Sequence, residues 1–350
     1  MAHLYQIDPL KDERWKLLVE EHPEASVFHT PGWLQALKRT YGYEPIAFTT
    51  SKPGTKCTNG IAFCRVTSWV TGSRLVSVPF SDHCQPLVDC TESLTTLLSG
   101  LQSEAKLGGW KYIELRPVPS ASTAIEYTVP YSDGERFYFH RLDLRPDPES
   151  LFRGFHKSCI QRKIRKAERE NLSYESGRSE ELLQKFYNLL VLTRRRHQLP
   201  PQPVIWFQQL IECLGDRLTI HLVSKDGVPA ASILTLGHRG SLVYKYGCSD
   251  ERFHNLGGMP LLFWTVIQEA KKSGFWELDL GRSEVDNSGL VQFKGHLGAN
   301  CSELTYWRYP APSEANPIVS WGGRAARYMF SRVPDSWLVP AGKLLYRHLG

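Results

Sequence analysis

The sequence predicts an α/β (α+β) chain made of two copies of one module, and three observations carry that prediction. The first is a strand–loop–helix–strand unit in residues 242–280. The second is an internal repeat that keeps its order. The third is composition. The 350 residues are 41% hydrophobic and 22% charged, which supplies a core and argues against disorder. This length suggests about two domains.

Leu242 to Tyr246 is short, apolar and β-prone, so it reads as a strand. A polar loop follows, holding Asn255-Leu256-Gly257-Gly258. Pro260 suits the first turn of a helix that runs to about Lys272 and stops at Gly274. Trp276 to Leu280 is the next strand, closed by Gly281-Arg282-Ser283. The helix N-terminus faces the loop, where unpaired N–H groups and the helix dipole favour a donor phosphate or carboxylate. A plain turn is the other reading of the glycine pair.

From the N-terminus, Leu10 to His22 reads as a helix. Thr30 is an N-cap with Pro31 at the first helical position, and that helix stops near Tyr41-Gly42. Ile46 to Thr50 is a strand. Ile61 to Val70 and Arg74 to Phe80 form a hairpin. Ser81 to Pro86 is a loop, Thr91 to Lys106 a helix and Tyr112 to Arg116 a strand.

That order returns later. Trp33-Leu34-Gln35 is echoed by Trp206-Phe207-Gln208, Asn59-Gly60 by Asp226-Gly227, and Gly72-Ser73 by Gly240-Ser241. Ser81-Asp82 returns as Ser249-Asp250, Glu104-Ala105-Lys106 as Glu269-Ala270-Lys271, and Glu114 to Arg116 in the Glu277 to Arg282 stretch. The offsets stay between about 165 and 173 residues. Each copy is then roughly 120 to 150 residues long. Only the second copy has the glycine loop, so the halves differ in function.

Between the copies, Phe137 to Leu144 alternates as a strand, broken by Pro146 and Pro148. Leu151 to Glu170 is a basic helix with Arg162, Lys163 and Arg165 over an apolar stripe. It reads either as a solvated face or as a cradle for phosphates or RNA backbone. A second helix, Glu180 to His197, ends in Arg194-Arg195-Arg196, cations that offset its dipole. The expected domains are 1–145, a basic helical insertion at 146–200, a second module at 201–310 and a basic amphipathic tail at 311–350. The tail reads as a helix docked on the body or as an interfacial segment touching anionic lipid.

The longest apolar run is too short to span a bilayer, and the first residues show no apolar signal segment. The eight cysteines show no CxxC or Cys/His metal spacing, so no metal is expected and reduced thiols in a cytoplasmic protein are. A net charge of +6 allows an anionic partner.

Ser81-Asp82-His83-Cys84-Gln85-Pro86, Arg162-Lys163-Ile164-Arg165-Lys166-Ala167, Tyr244-Lys245-Tyr246-Gly247, Asp279-Leu280-Gly281-Arg282-Ser283 and Phe293-Lys294-Gly295-His296-Leu297-Gly298 together resemble the FemAB-related branch of the GNAT (N-acetyltransferase) superfamily. The resemblance spans roughly residues 25 to 310. It implies two GNAT-like modules with a short helical hairpin, and transfer of an acyl or aminoacyl group to an amine. The donor is acyl-CoA or aminoacyl-tRNA. The acceptor is a small or lipid-linked amine, such as a peptidoglycan or other cell-envelope or polysaccharide precursor. It also implies that Lys294 lies at the reacting centre and that Tyr246 lines the same cavity. The glycine loop departs from the usual pyrophosphate signature, and the hairpin is short for a tRNA donor. A CoA-dependent N-acyltransferase on a small amine and a non-catalytic glycan- or protein-binding module are the alternatives.

The residues themselves set out the chemistry. Acyl transfer to an amine needs a stabilised oxyanion and a proton for the leaving group. Lys294 supplies a cation for the first, unless it is a surface lysine beyond the last strand. Tyr244 and Tyr246 alternate on a strand and so share a face. One is a proton donor, or both are core tyrosines. Asp279 is a charge inside a strand and needs a partner, with Arg282 nearest. That pair is structural or holds a phosphate. Asp82 and His83 bind the acceptor or form a hydrogen-bonded turn. Cys84 is a weak nucleophile candidate, because chain neighbours rarely orient as nucleophile and base. Catalytic candidates are Lys294, Tyr246 and Asp279. Asp82, His83, Tyr244, Arg282, Ser283 and Phe293 are candidates for substrate, and Asn255, Gly257, Gly258, Arg162 and Arg165 for a donor phosphate.

Overall fold

The computed structural model describes residues 3–69, 72–118, 132–310, 342 and 345–348. The chain divides into two compact units. One comprises Met1–Phe137, Glu303–Val319 and Leu344–Gly350, the other Tyr138–Ser302 and Ser320–Lys343. Most of the 311–350 tail, with its expected lipid contact, lies outside the described residues.

In the first unit the elements run β1 (Tyr5–Ile7), α1 (Glu13–Glu21), α2 (Pro31–Tyr41), β2 (Glu44–Thr49), β3 (Ile61–Ser68), β4 (Gly72–Val76), α3 (Thr91–Gly108) and β5 (Ile113–Leu115). Thr30 caps α2 by accepting the Trp33 N–H at 3.3 Å, as the Thr-Pro pair predicts. Strands β1 to β4 pair antiparallel in order, and β5 joins β4 in parallel. Their apolar side chains form a core with Leu94, Leu97 and Leu101 of α3.

The second unit takes the same order. After β6 (Ser132–Asp143) come α4 (Pro148–Gly154), a π-helical turn (Lys157–Gln161) and α5 (Arg162–Arg169). The repeated series is β7 (Ser173–Gly177), α6 (Glu180–Arg196), α7 (Val204–Leu214), β8 (Leu218–Lys225), β9 (Val228–His238), β10 (Ser241–Ser249), α8 (Gly258–Lys272) and β11 (Glu277–Glu284). Helix α9 (Ser288–His296) follows, and β12 (Asn300–Tyr309) belongs to the first unit from Glu303 onward. Strands β7 to β10 are antiparallel neighbours, and β11 joins β10 in parallel. Two units of the same strand order are what the sequence repeat describes.

Residues 146–200 differ from the expected separate insertion. Strand β7 pairs with β8, and α6 packs on β9 and β10, so this stretch is part of the second unit. The basic helix shows why. Ile160, Ile164 and Ala167 are buried while Arg162, Lys163 and Arg165 are exposed, and the apolar stripe closes the core over α8. Among the described residues no helix is long and apolar enough to cross a membrane.

Candidate active site

The parallel pairing of β10 with β11 covers only Ser241–Glu277, Leu242–Leu278 and Val243–Asp279. Both strands are irregular just beyond it. On β10 the register with β9 shifts between Tyr244 and Tyr246. On β11 the backbone turns into the left-handed region at Gly281, with φ 69°, where a residue bearing a Cβ is strained. Asp279 holds this turn, its Oδ1 accepting the Gly281 N–H at 2.7 Å.

That turn directs two carbonyls at one cation. The Lys294 Nζ donates to the Gly281 oxygen at 3.0 Å and to the Arg282 oxygen at 2.9 Å. Lys294 is only 2% exposed. It was expected on a polar stretch beyond the last strand. It sits instead inside α9, whose start is capped by Asn287 and whose Phe293 ring packs 5.5 Å from Phe263 of α8. A buried ammonium is tolerated only with such partners. Arg282 contributes its backbone oxygen to Lys294, and the Asp279 carboxylate accepts the Gly281 N–H.

Sequence reasoning missed His140. It lies on β6, next to β11 in the strand order, and is 1% exposed. Neither ring nitrogen has a hydrogen-bond partner among the described residues. Burial, helped by the charge of Lys294, pushes its pKa down to about 4, so the ring stays neutral at physiological pH. The Ser283 hydroxyl, also buried, is likewise without a partner. The one trace of His140 in the sequence is its alternation with Leu142 in a strand of mixed composition.

The two tyrosines do not share a face. The bulge between them reverses the alternation. Tyr244 packs edge-on against Phe263 of α8 at 4.8 Å, and Tyr246 against Phe207 of α7 at 5.1 Å. The Tyr246 hydroxyl accepts the Trp206 indole N–H at 2.9 Å, a core setting.

Of the donor-phosphate candidates, Asn255 is exposed at the end of a 3₁₀ turn, while Gly257 and Gly258 are buried. Gly257 has φ 83°, and a Cβ there would strike the Lys163 carbonyl oxygen. The α8 N-terminus therefore abuts α5, whose Arg162 and Arg165 line a surface hollow with Glu168 and Arg169.

In the first unit, Val76–Glu114 is the last parallel pair of β4 and β5, the place that Val243–Asp279 holds in the second. Here the carboxylate meets arginines. Arg116 donates to Glu114 Oε1 at 3.0 and 2.9 Å, and Arg308 to Oε2 at 2.8 and 2.6 Å. Asp82 accepts the Tyr306 hydroxyl on its backbone oxygen at 2.8 Å, and His83 Nδ1 lies 3.1 Å from Gln85 Oε1. The His83 contact lies within its own loop, and the Asp82 contact joins that loop to β12. Burial pushes the Cys84 thiol up to about 12, which removes it as a nucleophile.

Residues 155–294 match the family model described as "Acetyltransferase (GNAT) domain", a span that ends on Lys294. No curated protein matches the chain. Among solved structures, the chain is similar to FemX, with TM-score 0.67 at 14% identity over 87% of this chain and 96% of that one. It is similar to L-PGS from Bacillus licheniformis, with TM-score 0.57 at 12% identity over 98% of each chain. It is also similar to a tandem GNAT protein from the clavulanic acid biosynthesis pathway, with TM-score 0.52 at 14% identity over 89% of this chain and 100% of that one.

Proposed function

We propose that this chain, a GNAT-type acyltransferase with the FemAB-related fold, moves an acyl or aminoacyl group onto an amine at a centre formed by Lys294 and His140. The observation that carries the proposal is the buried Lys294 ammonium, fixed by the Gly281 and Arg282 carbonyls where β10 and β11 cease to pair.

The step is an addition followed by an elimination. The amine nitrogen attacks the donor carbonyl carbon, a C–N bond forms, and the carbonyl electron pair moves to oxygen. The charge of Lys294 stabilises that oxyanion in a site of low dielectric. Addition makes the attacking N–H strongly acidic, so even the weakly basic His140 can take its proton. The oxyanion then collapses and expels the thiolate or alkoxide of the donor, which takes up the proton that His140 had accepted, so the imidazole returns to its neutral form. Asp279 acts through Gly281 as a positioning residue. Tyr246, seated on Trp206, supports β10 from the core.

The donor would lie with its phosphates toward Arg162, Arg165 and the α8 N-terminus, a cationic edge of the second unit. An amine on a cell-envelope precursor is the acceptor that the FemAB resemblance implies. A panel of acyl-CoA and aminoacyl-tRNA donors with small and lipid-linked amines tests the reading. Turnover with one donor class, lost in Lys294→Met, supports it. An active enzyme indifferent to Lys294→Met overturns it.

A further inference from the structure

Outside that centre, three metal-binding side chains converge, two of them three residues apart in the chain and the third remote in sequence. His156 precedes the π-helical turn, Cys159 lies inside it, and His296 is in the last turn of α9. One ligand atom from each lies within 4.8 Å of the others. The rings of His156 and His296 are 4.3 Å apart between centroids.

The backbone fixes the arrangement. His156 N–H donates to the His296 carbonyl at 2.8 Å, and Cys159 N–H donates to His156 Nδ1 at 3.2 Å. His156 is exposed and the other two are half-buried, so an ion can reach them from solvent. Linear spacing could not show this site, because its third ligand comes from a distant helix.

We propose that His156, Cys159 and His296 form a three-ligand site for a divalent transition-metal ion of the zinc class. A thiolate with two imidazoles is a soft, nitrogen-rich set that suits zinc and disfavours magnesium or calcium. Metal–ligand distances of roughly 2.0 to 2.3 Å place tetrahedral ligand atoms about 3.3 to 3.8 Å apart, within reach of small side-chain rotations. The fourth position is left for water. On binding, the thiol proton passes to solvent and two neutral imidazoles donate lone pairs, so affinity rises with pH. The ion ties the end of α9 to the segment ahead of α5.

The test is titration of the chelator-treated full chain with Co²⁺, read by absorption. One equivalent should give a thiolate-to-cobalt charge-transfer band with intense visible bands of tetrahedral cobalt, and Zn²⁺ should displace it. Cys159→Ser should abolish the charge-transfer band. His296→Ala and the exposed His156→Gln should each weaken binding by more than about tenfold. Cys90→Ser, at an exposed cysteine of the first unit, should change nothing. Thermal midpoints taken without metal confirm that each variant folds. No saturable band in the parent chain, or a band that survives Cys159→Ser, would overturn the proposal.

Discussion

The Asp279 carboxylate and the Lys294 ammonium act on the same glycine. Asp279 binds its N–H at 2.7 Å, and Lys294 binds its carbonyl at 3.0 Å. The left-handed turn at Gly281 is thus held from both ends, which fixes where the cation stands.

This predicts a graded response at Asp279. Asp279→Ala leaves a buried N–H unpaired, costs about 1–3 kcal/mol and lets the two carbonyls drift. Asp279→Asn keeps an oxygen for the Gly281 N–H and should recover most of both losses. Thermal midpoints and kcat, measured together, check this. Equal damage from the two variants would show that the charge of Asp279, not its acceptor oxygen, is what matters.

His140→Gln should lower kcat by roughly a hundredfold or more, the usual cost of losing a proton acceptor. KM for the donor should change little. Single-turnover rates at saturating donor measure the effect. A rate near the parent value would remove His140 from the chemistry.

Acid should destabilise the protein in two stages. His140 and His221 are each pushed by burial to about 4, from an ordinary 6.5. Below pH 6.5 the unfolded chain gains protons that the folded chain refuses, so stability falls from there toward pH 4. Glu114 acts lower. Burial raises its pKa, but Arg116 and Arg308 outweigh that and hold it below the carboxylate range. Its contribution is complete above about pH 4.5 and is lost on further acidification. Denaturant melts across pH 3.5 to 7.5 should show both stages, with the first shallower in His140→Gln.

Arg308→Ala leaves the buried Glu114 carboxylate with half its partners. The expected cost is about 3–5 kcal/mol, and it belongs to folding rather than to the acyl-transfer step. Donor KM and kcat at low temperature should stay near the parent values while the thermal midpoint drops.

The sequence made the larger outline legible. The echo of Trp33 in Trp206 and of Gly72 in Gly240 describes two units of one strand order, and Thr30-Pro31 marks the start of α2. Local signals failed where tertiary pairing decides. Strand β7 is short and polar and exists because β8 offers it an edge. Helix α9 carries two glycines and little apolar stripe, so the residues alone leave a surface lysine open at Lys294, and only the resemblance points to the reacting centre. The bulge at Lys245 moved Tyr246 away from Tyr244, and bulges leave little trace in composition. His140 went unseen because its meaning depends on Lys294, which is remote in sequence.

The most direct measurement is the single-turnover rate of acyl transfer by Lys294→Met, with its thermal midpoint recorded alongside. If the ammonium stabilises the oxyanion, the folded variant loses about a hundred- to thousandfold in rate. A folded variant that keeps more than about a tenth of the parent rate contradicts the account, and Lys294 would then be a strut between α9 and β11.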